Sequence, residues 1–409
     1  MAQAKTYAYS GRDGAGKVVK GKVDAGSEAA VAAKLRTMGI SPIGINEAGT
    51  GTGLQMEISF GSFGKGVGLK DLAVMARQMA TMISAGLSLI RTLGILADQT
   101  ENKELARILG VIRGDVESGA SLSDSMAKHP TVFPPIMIHL VRSGETGGFL
   151  DGALTGAAEN LEADVKLRDT IKSAMTYPVI VLIIAILAVV GMLLFIVPIF
   201  EKMFADMGGE LPAATQILVT LSRALPWIAL VVVPLGIAFS IWWQRNKHTD
   251  AVRAFVDPLK LKLPVFGLLF TKVAVARFSR NFATMLGAGV PILQALSIVG
   301  ETSGSYVVES ALKKVQESVR QGKSVAGPLA MEPVFPSMVV QMIAVGEDSG
   351  AMETMLNKVG EFYEAEVEST TKALTSLIEP LMIAFIGVII GGMIVALYLP
   401  VFSIFDQIK

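Results

Sequence analysis

Seven residues near the amino terminus, Gly11-Arg12-Asp13-Gly14-Ala15-Gly16-Lys17, come nearest to a known chemical motif. Glycine amides can surround phosphate oxygens, and a lysine at the end of such a loop can neutralise the terminal phosphates. The match then fails twice. Val18 stands where a hydroxyl side chain would hold magnesium, and Val18-Val19-Lys20-Gly21-Lys22-Val23 reads as a strand where a phosphate loop needs a helix N-terminus. A hairpin turn fits these residues better, which leaves the chain without a usable nucleotide loop.

The other candidates come in matched pairs. Gly144-Glu145-Thr146-Gly147-Gly148 and Gly346-Glu347-Asp348-Ser349-Gly350 each follow an apolar helical pattern and precede an acidic one. Glu145, Asp151, Glu347 and Asp348 could offer oxygens to a cation or to a partner, although the contiguous spacing of an EF-hand is absent. The same residues also suit a turn, with glycine ending one helix and Glu, Thr or Asp capping the next. Arg77 and Arg280 could meet acidic groups of a partner, in company with Glu145 and Glu347, or could brace their own domain through ion pairs. Cysteine is absent, which excludes disulfides, thiolate metal sites and thiol nucleophiles. Of three histidines, His129 and His139 are matched by Glu332 and Gln341, so no shared ligand set emerges. No cofactor is expected.

These pairs belong to a duplication. Met75 to Leu93 (MARQMATMISAGLSLIRTL) is restated by Phe278 to Leu296 (FSRNFATMLGAGVPILQAL), at an offset of 203 residues, as from Arg77 to Arg280. After a one-residue deletion near Pro333 the offset becomes 202, and Phe133-Pro134 pairs with Phe335-Pro336, Glu145 with Glu347, Pro178 with Pro380, and Pro198 with Pro400. The helical patterns break at Gly86, Gly119, Pro130, Pro134-Pro135 and Gly147-Gly148, and at matching places in the second copy. Short helices in series predict a bundle in each copy.

Each copy runs into an uncharged apolar stretch long enough to cross a bilayer. The predicted spans are 178–200, 224–244, which contains Pro226 and Pro234 and closes with Trp242-Trp243, and 380–405, where Gly387 and Gly391 form a small-residue face for helix packing. With 51% hydrophobic residues in 409 and a net charge of zero, part of the chain belongs in lipid and no basic nucleic-acid footprint exists. Lys166, Arg168 and Lys172 precede the first span, and Arg245, Lys247, Arg253, Lys260 and Lys262 follow the second, so those flanks are expected in the cytoplasm. No ionisable side chain falls inside a span, which argues against a transport pathway. Each copy ends in a charge-laced helix, Leu150 to Lys172 or Met352 to Lys372, which is expected to continue through Pro178 or Pro380 into its span, the proline kinking or ending the helix there.

The predicted fold is mainly α: an integral membrane protein with two homologous cytoplasmic helical bundles, three transmembrane helices and a small α/β unit. Residues 1–47 form a cytoplasmic ββαβ unit in which Val31, Leu35 and Met38 share one helix face and Gly39 stops the helix. A glycine-rich linker, 48–68, carries Phe60 and Phe63 as docking side chains. The first bundle occupies 69–177 and the second 245–379, the outer loop 201–223 and the outer tail 406–409. The amino terminus does not resemble a signal peptide.

The ordered set of Ala-Thr-Met, Ala-Gly and Gly-Glu-x-x-Gly segments, the Tyr177-Pro178 and Glu379-Pro380 lead-ins, and the Pro-hydrophobic-Phe endings resembles the type II secretion system F family. The inner-membrane platform proteins of type IV pili are the nearest resemblance within it. Lys262-Leu263-Pro264-Val265-Phe266-Gly267 is similar to the segment that opens the second domain in that family, whereas Thr170 stands where many members are basic. The resemblance implies a non-enzymatic platform in the bacterial inner membrane, with the N-terminus cytoplasmic and the C-terminus outside. Its implied partners are a hexameric cytoplasmic assembly ATPase and also a retraction ATPase, pilins or pseudopilins, other inner-membrane machine components, and further copies of itself as a homo-oligomer. A type II secretion or DNA-uptake platform shares every feature quoted. A membrane transporter or receptor is the alternative from another class.

Overall fold

The computed structural model describes residues 5–12, 18–25, 28–39, 41–47, 66–206, 211–247, 249–264 and 266–407. The chain divides into two units, Met1–Phe63 and Gly64–Lys409.

In the first unit, β1 (Lys5–Arg12), β2 (Val18–Ala25) and β3 (Ser41–Glu47) form an antiparallel sheet of order β2-β1-β3, with α1 (Glu28–Thr37) between β2 and β3. Arg12 pairs with Val18, so the glycine-rich segment joins two strands where a phosphate loop would lead into a helix. Residues 13–17 lie outside the described residues. Val31 and Leu35 are buried against Tyr7, Val23 and Ala25. Met38 is exposed, contrary to expectation, because α1 ends at Thr37 and the left-handed Gly39 (φ 74°) turns the chain away from the helix face. Phe60 and Phe63 also lie outside the described residues.

The second unit opens with a bundle of α2 (Leu69–Ser84), α3 (Leu89–Gln99), α4 (Lys103–Glu117), α5 (Leu122–Ala127), α6 (Pro135–Gly147) and the first part of α7 (Leu150–Gly191). Its copy is α11 (Phe266–Gly287), α12 (Ile292–Thr302), α13 (Tyr306–Arg320), α14 (Ala326–Ala330), α15 (Ser337–Ser349) and the first part of α16 (Met352–Gln407). Gly86 and Gly289 both take positive φ, 86° and 66°, at the first break, where a side chain would be strained. The two bundles share one hydrophobic core that runs from Leu72, Met79 and Leu105 to Phe278, Leu312 and Phe335. Each fully buried leucine or phenylalanine in it contributes about 2 kcal/mol. They are thus two modules of one body. α10 (Asp250–Lys262) has no counterpart in the first module and docks on the second, where Asp257 accepts from the Tyr306 amide at 2.9 Å and Arg253 pairs with Glu309 at 2.9 Å.

Three helices are long and apolar enough to cross a membrane: Leu150–Asp206, Ala213–Asn246 and Met352–Pro400. The chain is a multi-pass membrane protein. α7 and α16 pass through Pro178 and Pro380 without ending, so each module is continuous with its span. After α7 a π-helical segment, Met192–Ile196, leads into α8 (Val197–Asp206), and α9 (Ala213–Asn246) is the middle span. α10 follows it on the same side as the modules.

α9 solves a problem that the paired prolines create. Pro198 and Pro400 have no N–H, and each leaves a carbonyl one turn back without its helical donor. In the first span the π turn sends the Val197 amide to Met192 O, and the Leu193 carbonyl instead accepts from the Ser222 hydroxyl at 2.5 Å. In the third span the Ala396 carbonyl accepts from the Thr215 hydroxyl at 2.5 Å. Both hydroxyls are buried and both lie on α9. Around them Leu193, Val197, Val219, Met393 and Leu397 form the only core of buried residues linking the three spans among the described residues. Elsewhere the spans are exposed along apolar faces such as Val179–Leu187 and Trp227–Ile241, as lipid-facing surfaces require.

Ser222→Ala and Thr215→Val should each lower the stability of the membrane part by about 1 kcal/mol, and together by more than either alone. Thermal unfolding in detergent, followed by the exposure of a cysteine placed at Val219, checks this.

Candidate functional site

The surfaces available to a partner are shaped by the residues that the duplication repeats. At the end of α6, a methyl added to Gly144 would lie 2.4 Å from Ala153 Cβ, and one added to Gly346 would lie 2.8 Å from Met352 Cα. Glycine is required there because α6 and α15 lie directly on the helices that follow. Glu145 then turns back across the module: the Leu122 and Ser123 amides donate to its carboxylate at 2.5 and 3.1 Å. Glu347 receives the Val325 amide at 2.9 Å and the Ala326 amide at 3.3 Å. Each carboxylate therefore closes the open N-terminus of a short helix, α5 or α14, with charge-assisted hydrogen bonds. Gly148 and Gly350 end α6 and α15 in the left-handed region, at φ 76° and 71°.

The motif is thus a turn, as one of the two sequence readings has it, with one difference. The glutamate caps the helix before its own, across the fold, and not the helix that follows. Asp151 and Asp348 are exposed, and among the described residues no group of three or more potential metal ligands comes together.

Arg77 meets Glu162 on α7 through two hydrogen bonds, 2.7 and 2.6 Å, and Arg280 meets Glu364 on α16 at 3.0 and 2.9 Å. The threonine of Ala-Thr-Met turns inward to the same helix: Thr81 and Thr284 hydroxyls donate to Arg77 O and Arg280 O, each at 2.8 Å. The hydrogen bond to Glu162 holds the Arg77 guanidinium above its ordinary range and, reciprocally, holds the Glu162 carboxyl below its own. Both members of the first pair are more than one-third exposed, whereas both members of the second are half-buried. These arginines brace the first helix of each module against its last.

Gly387 and Gly391 lie on α16, but a methyl at either would meet nothing within 4 Å, so no helix among the described residues packs on them. His129 and His139 are half-buried, and His248 lies outside the described residues. Burial pushes the His139 imidazole below its ordinary value, with Arg142 adding to the effect and Glu301 opposing it.

A second set of polar residues, not singled out by the sequence, holds the modules together. Ser143 Oγ donates to Ala288 O at 2.7 Å, Asn160 Nδ2 to Asn281 Oδ1 at 2.8 Å, and Arg277 pairs with Asp164 at 2.7 Å. Asn160, Asp164, Arg277, Asn281 and Glu301 line a cleft of about 260 Å³ along this seam. One signal could have found three of them, because there the two copies differ in polarity: Asn160 against Phe362, Arg277 against Val74, Ser143 against Val345.

Two regions of the chain, residues 75–198 and 278–400, match the family model described as type II secretion system (T2SS), protein F, and residues 1–46 match that of its N-terminal domain. The chain belongs to the type II secretion system protein F family. The duplicated modules with their spans account for both matches, and the small sheet unit for the third. The chain is 42% identical over 405 residues to the type IV pilus assembly protein PilC of Myxococcus xanthus, covering 98% of this chain and 96% of the relative. It is 43% identical to the protein of that name from Thermus thermophilus, over 98% and 99% of the two chains. The type II secretion system protein F of Pseudomonas aeruginosa is 31% identical over 97% of this chain and 98% of its own length.

Glu145→Ala strands two helix amides and should cost about 2 kcal/mol, with Glu145→Gln costing less because one acceptor remains. Glu347→Ala should behave alike, and thermal melts of the detergent-solubilised protein read both. Arg77→Glu should destabilise by placing two carboxylates together, and adding Glu162→Arg should restore the melt. The depressed Glu162 carboxyl contributes stability above its unfolded value of 4.5 and loses it as the pH falls through the lower folded value. The melting difference between the wild type and Glu162→Gln should therefore be constant near neutrality and shrink below pH 4.5. Solvent screening keeps it near 0.5 kcal/mol.

Proposed function

We propose that this protein is the inner-membrane platform of a type IV pilus assembly machine, and that it does no chemistry of its own. The observation that carries this reading is the unbroken passage of each module into a membrane helix, through α7 and α16. A torque or push applied to a module reaches the bilayer through a helix that does not end on the way. The greater identity to chains named for pilus assembly, 42 and 43%, than to those named for type II secretion, 31%, favours the pilus over the secretion version.

On this reading a cytoplasmic assembly ATPase, and a retraction ATPase where one operates, grips the two modules, and pilin or pseudopilin subunits are lifted from the membrane along the exposed spans. Other inner-membrane components and further copies of this chain complete the machine. The modules and the N-terminal unit lie in the cytoplasm, with the C-terminus outside, a reading that the lysine and arginine placement supports. Arg77, Arg280, Glu145 and Glu347 act on partners indirectly, by fixing the surfaces that partners meet. Gly387 and Gly391 offer a close approach to a helix of another chain.

Deleting the gene should abolish surface fibres in electron micrographs while leaving secretion of folded exoproteins intact; the opposite pattern would establish the secretion version. Complementation with a Gly-Gly insertion after Lys172, which breaks the rod at the membrane surface, should fail at normal protein levels. Full piliation from that variant would overturn the coupling mechanism.

A further inference from the structure

The seam between the modules is heterologous. The first module contributes α6 and α7, through Ser143, Asn160 and Asp164, whereas the second contributes α11 and the turn after it, through Arg277, Asn281 and Ala288. Gly156 on α7 faces Thr284 on α11, where an added methyl would come within 3.4 Å. In a two-fold arrangement the second module's counterparts of the first set would meet the first module's counterparts of the second set, within the same chain. They do not. Val345 and Phe362, which replace Ser143 and Asn160, are 54% and 47% exposed. Val74, which replaces Arg277, is 50% exposed, and Gln78 and Ala85, which replace Asn281 and Ala288, are exposed as well. Each chain therefore carries one free half of its own internal seam at each end.

We infer that these two free halves bind each other between copies, so that the Val345/Phe362 face of one chain seats on the Val74/Gln78/Ala85 face of the next. The inference rests on the self-association proposed above and specifies its geometry. Three observations support a second copy as the occupant. Carried over from the internal seam, the contacts become Phe362 on Gln78, Val345 on Ala85, Lys358 on Thr81 and Glu366 on Val74, and no two like charges meet. The charges that do lie there are already neutralised within the chain, Lys358 by Glu361 at 2.9 Å and Glu366 by Lys272 at 2.6 Å. Polar seam residues have been exchanged for Val74, Val345 and Phe362, which lie outside the membrane spans and are each about half exposed in the single chain. A head-to-tail contact of this kind can be repeated from copy to copy. Because α7 and α16 leave their modules towards the same bilayer, the operation that relates module to module keeps every added copy inserted in the same sense.

The absence of cysteine makes the test direct. Full-length Gln78→Cys and Phe362→Cys chains, carrying different tags, are co-expressed in native membranes and oxidised. The expected result is a disulfide-linked dimer joining the two tags, absent when either variant is present alone, and a ladder when both cysteines sit in one chain. Ala85→Cys with Val345→Cys should repeat the result at a second pair. Asn160→Cys with Asn281→Cys reports closure inside one chain. No cross-link at either intermolecular pair while that control closes, or cross-linking of Gln78→Cys to itself, or capture of a different protein by Phe362→Cys, would overturn the inference. Sizing in detergent separates the failures: an oligomer without these cross-links refutes the head-to-tail contact alone, and a single copy refutes self-association too.

Discussion

A proline inside a membrane helix leaves a carbonyl with no donor, in a solvent that supplies none. This chain places one such proline near the end of each span that is remote from its module, and the structure answers with a hydroxyl on the middle helix each time, Ser222 for Leu193 and Thr215 for Ala396. The three spans converge there and only there among the described residues, around Val197, Val219 and Leu397. At the other end the two modules are fused through a single core. The long helices α7 and α16 are therefore held at both ends and free along their middles, where lipid or another chain can lie against them.

Within each module the same economy recurs. A carboxylate that could have served a cation closes a short helix, and an arginine that could have reached outward ties the first helix to the last. The chemistry that the two copies share keeps two mechanical parts alike. Where the copies differ, at Asn160 and Phe362 or at Arg277 and Val74, they differ because one face is covered within the chain and its twin is not.

Much of this was legible in the sequence. The offset between copies located the modules, the uncharged stretches located the spans, and Gly86, Gly119 and Gly148 marked turns that do take positive φ. These are local signals, set by backbone sterics and by the length of an apolar run. The target of Glu145 was not legible, because α6 must first fold back across α5 before its carboxylate meets Leu122. The passage of each module's last helix through Pro178 or Pro380 into its span, by contrast, was legible. Met38 was misplaced by a single left-handed glycine. The seam between modules depends on tertiary packing that no window of sequence contains, although the polarity differences between copies hinted at it.

Thr215 and Ser222 lie two turns apart on one face of α9, so the carbonyls they hold are separated by about 10 Å along that helix. The middle span is in effect a tie rod pinned at unequal heights to two neighbouring columns. Were one column to advance past the other by a single turn, about 5.4 Å, the rod would have to lean or lose a pin. Relative travel of the twin columns is thereby converted into inclination of the third, which gives an outwardly passive helix a part in any working stroke.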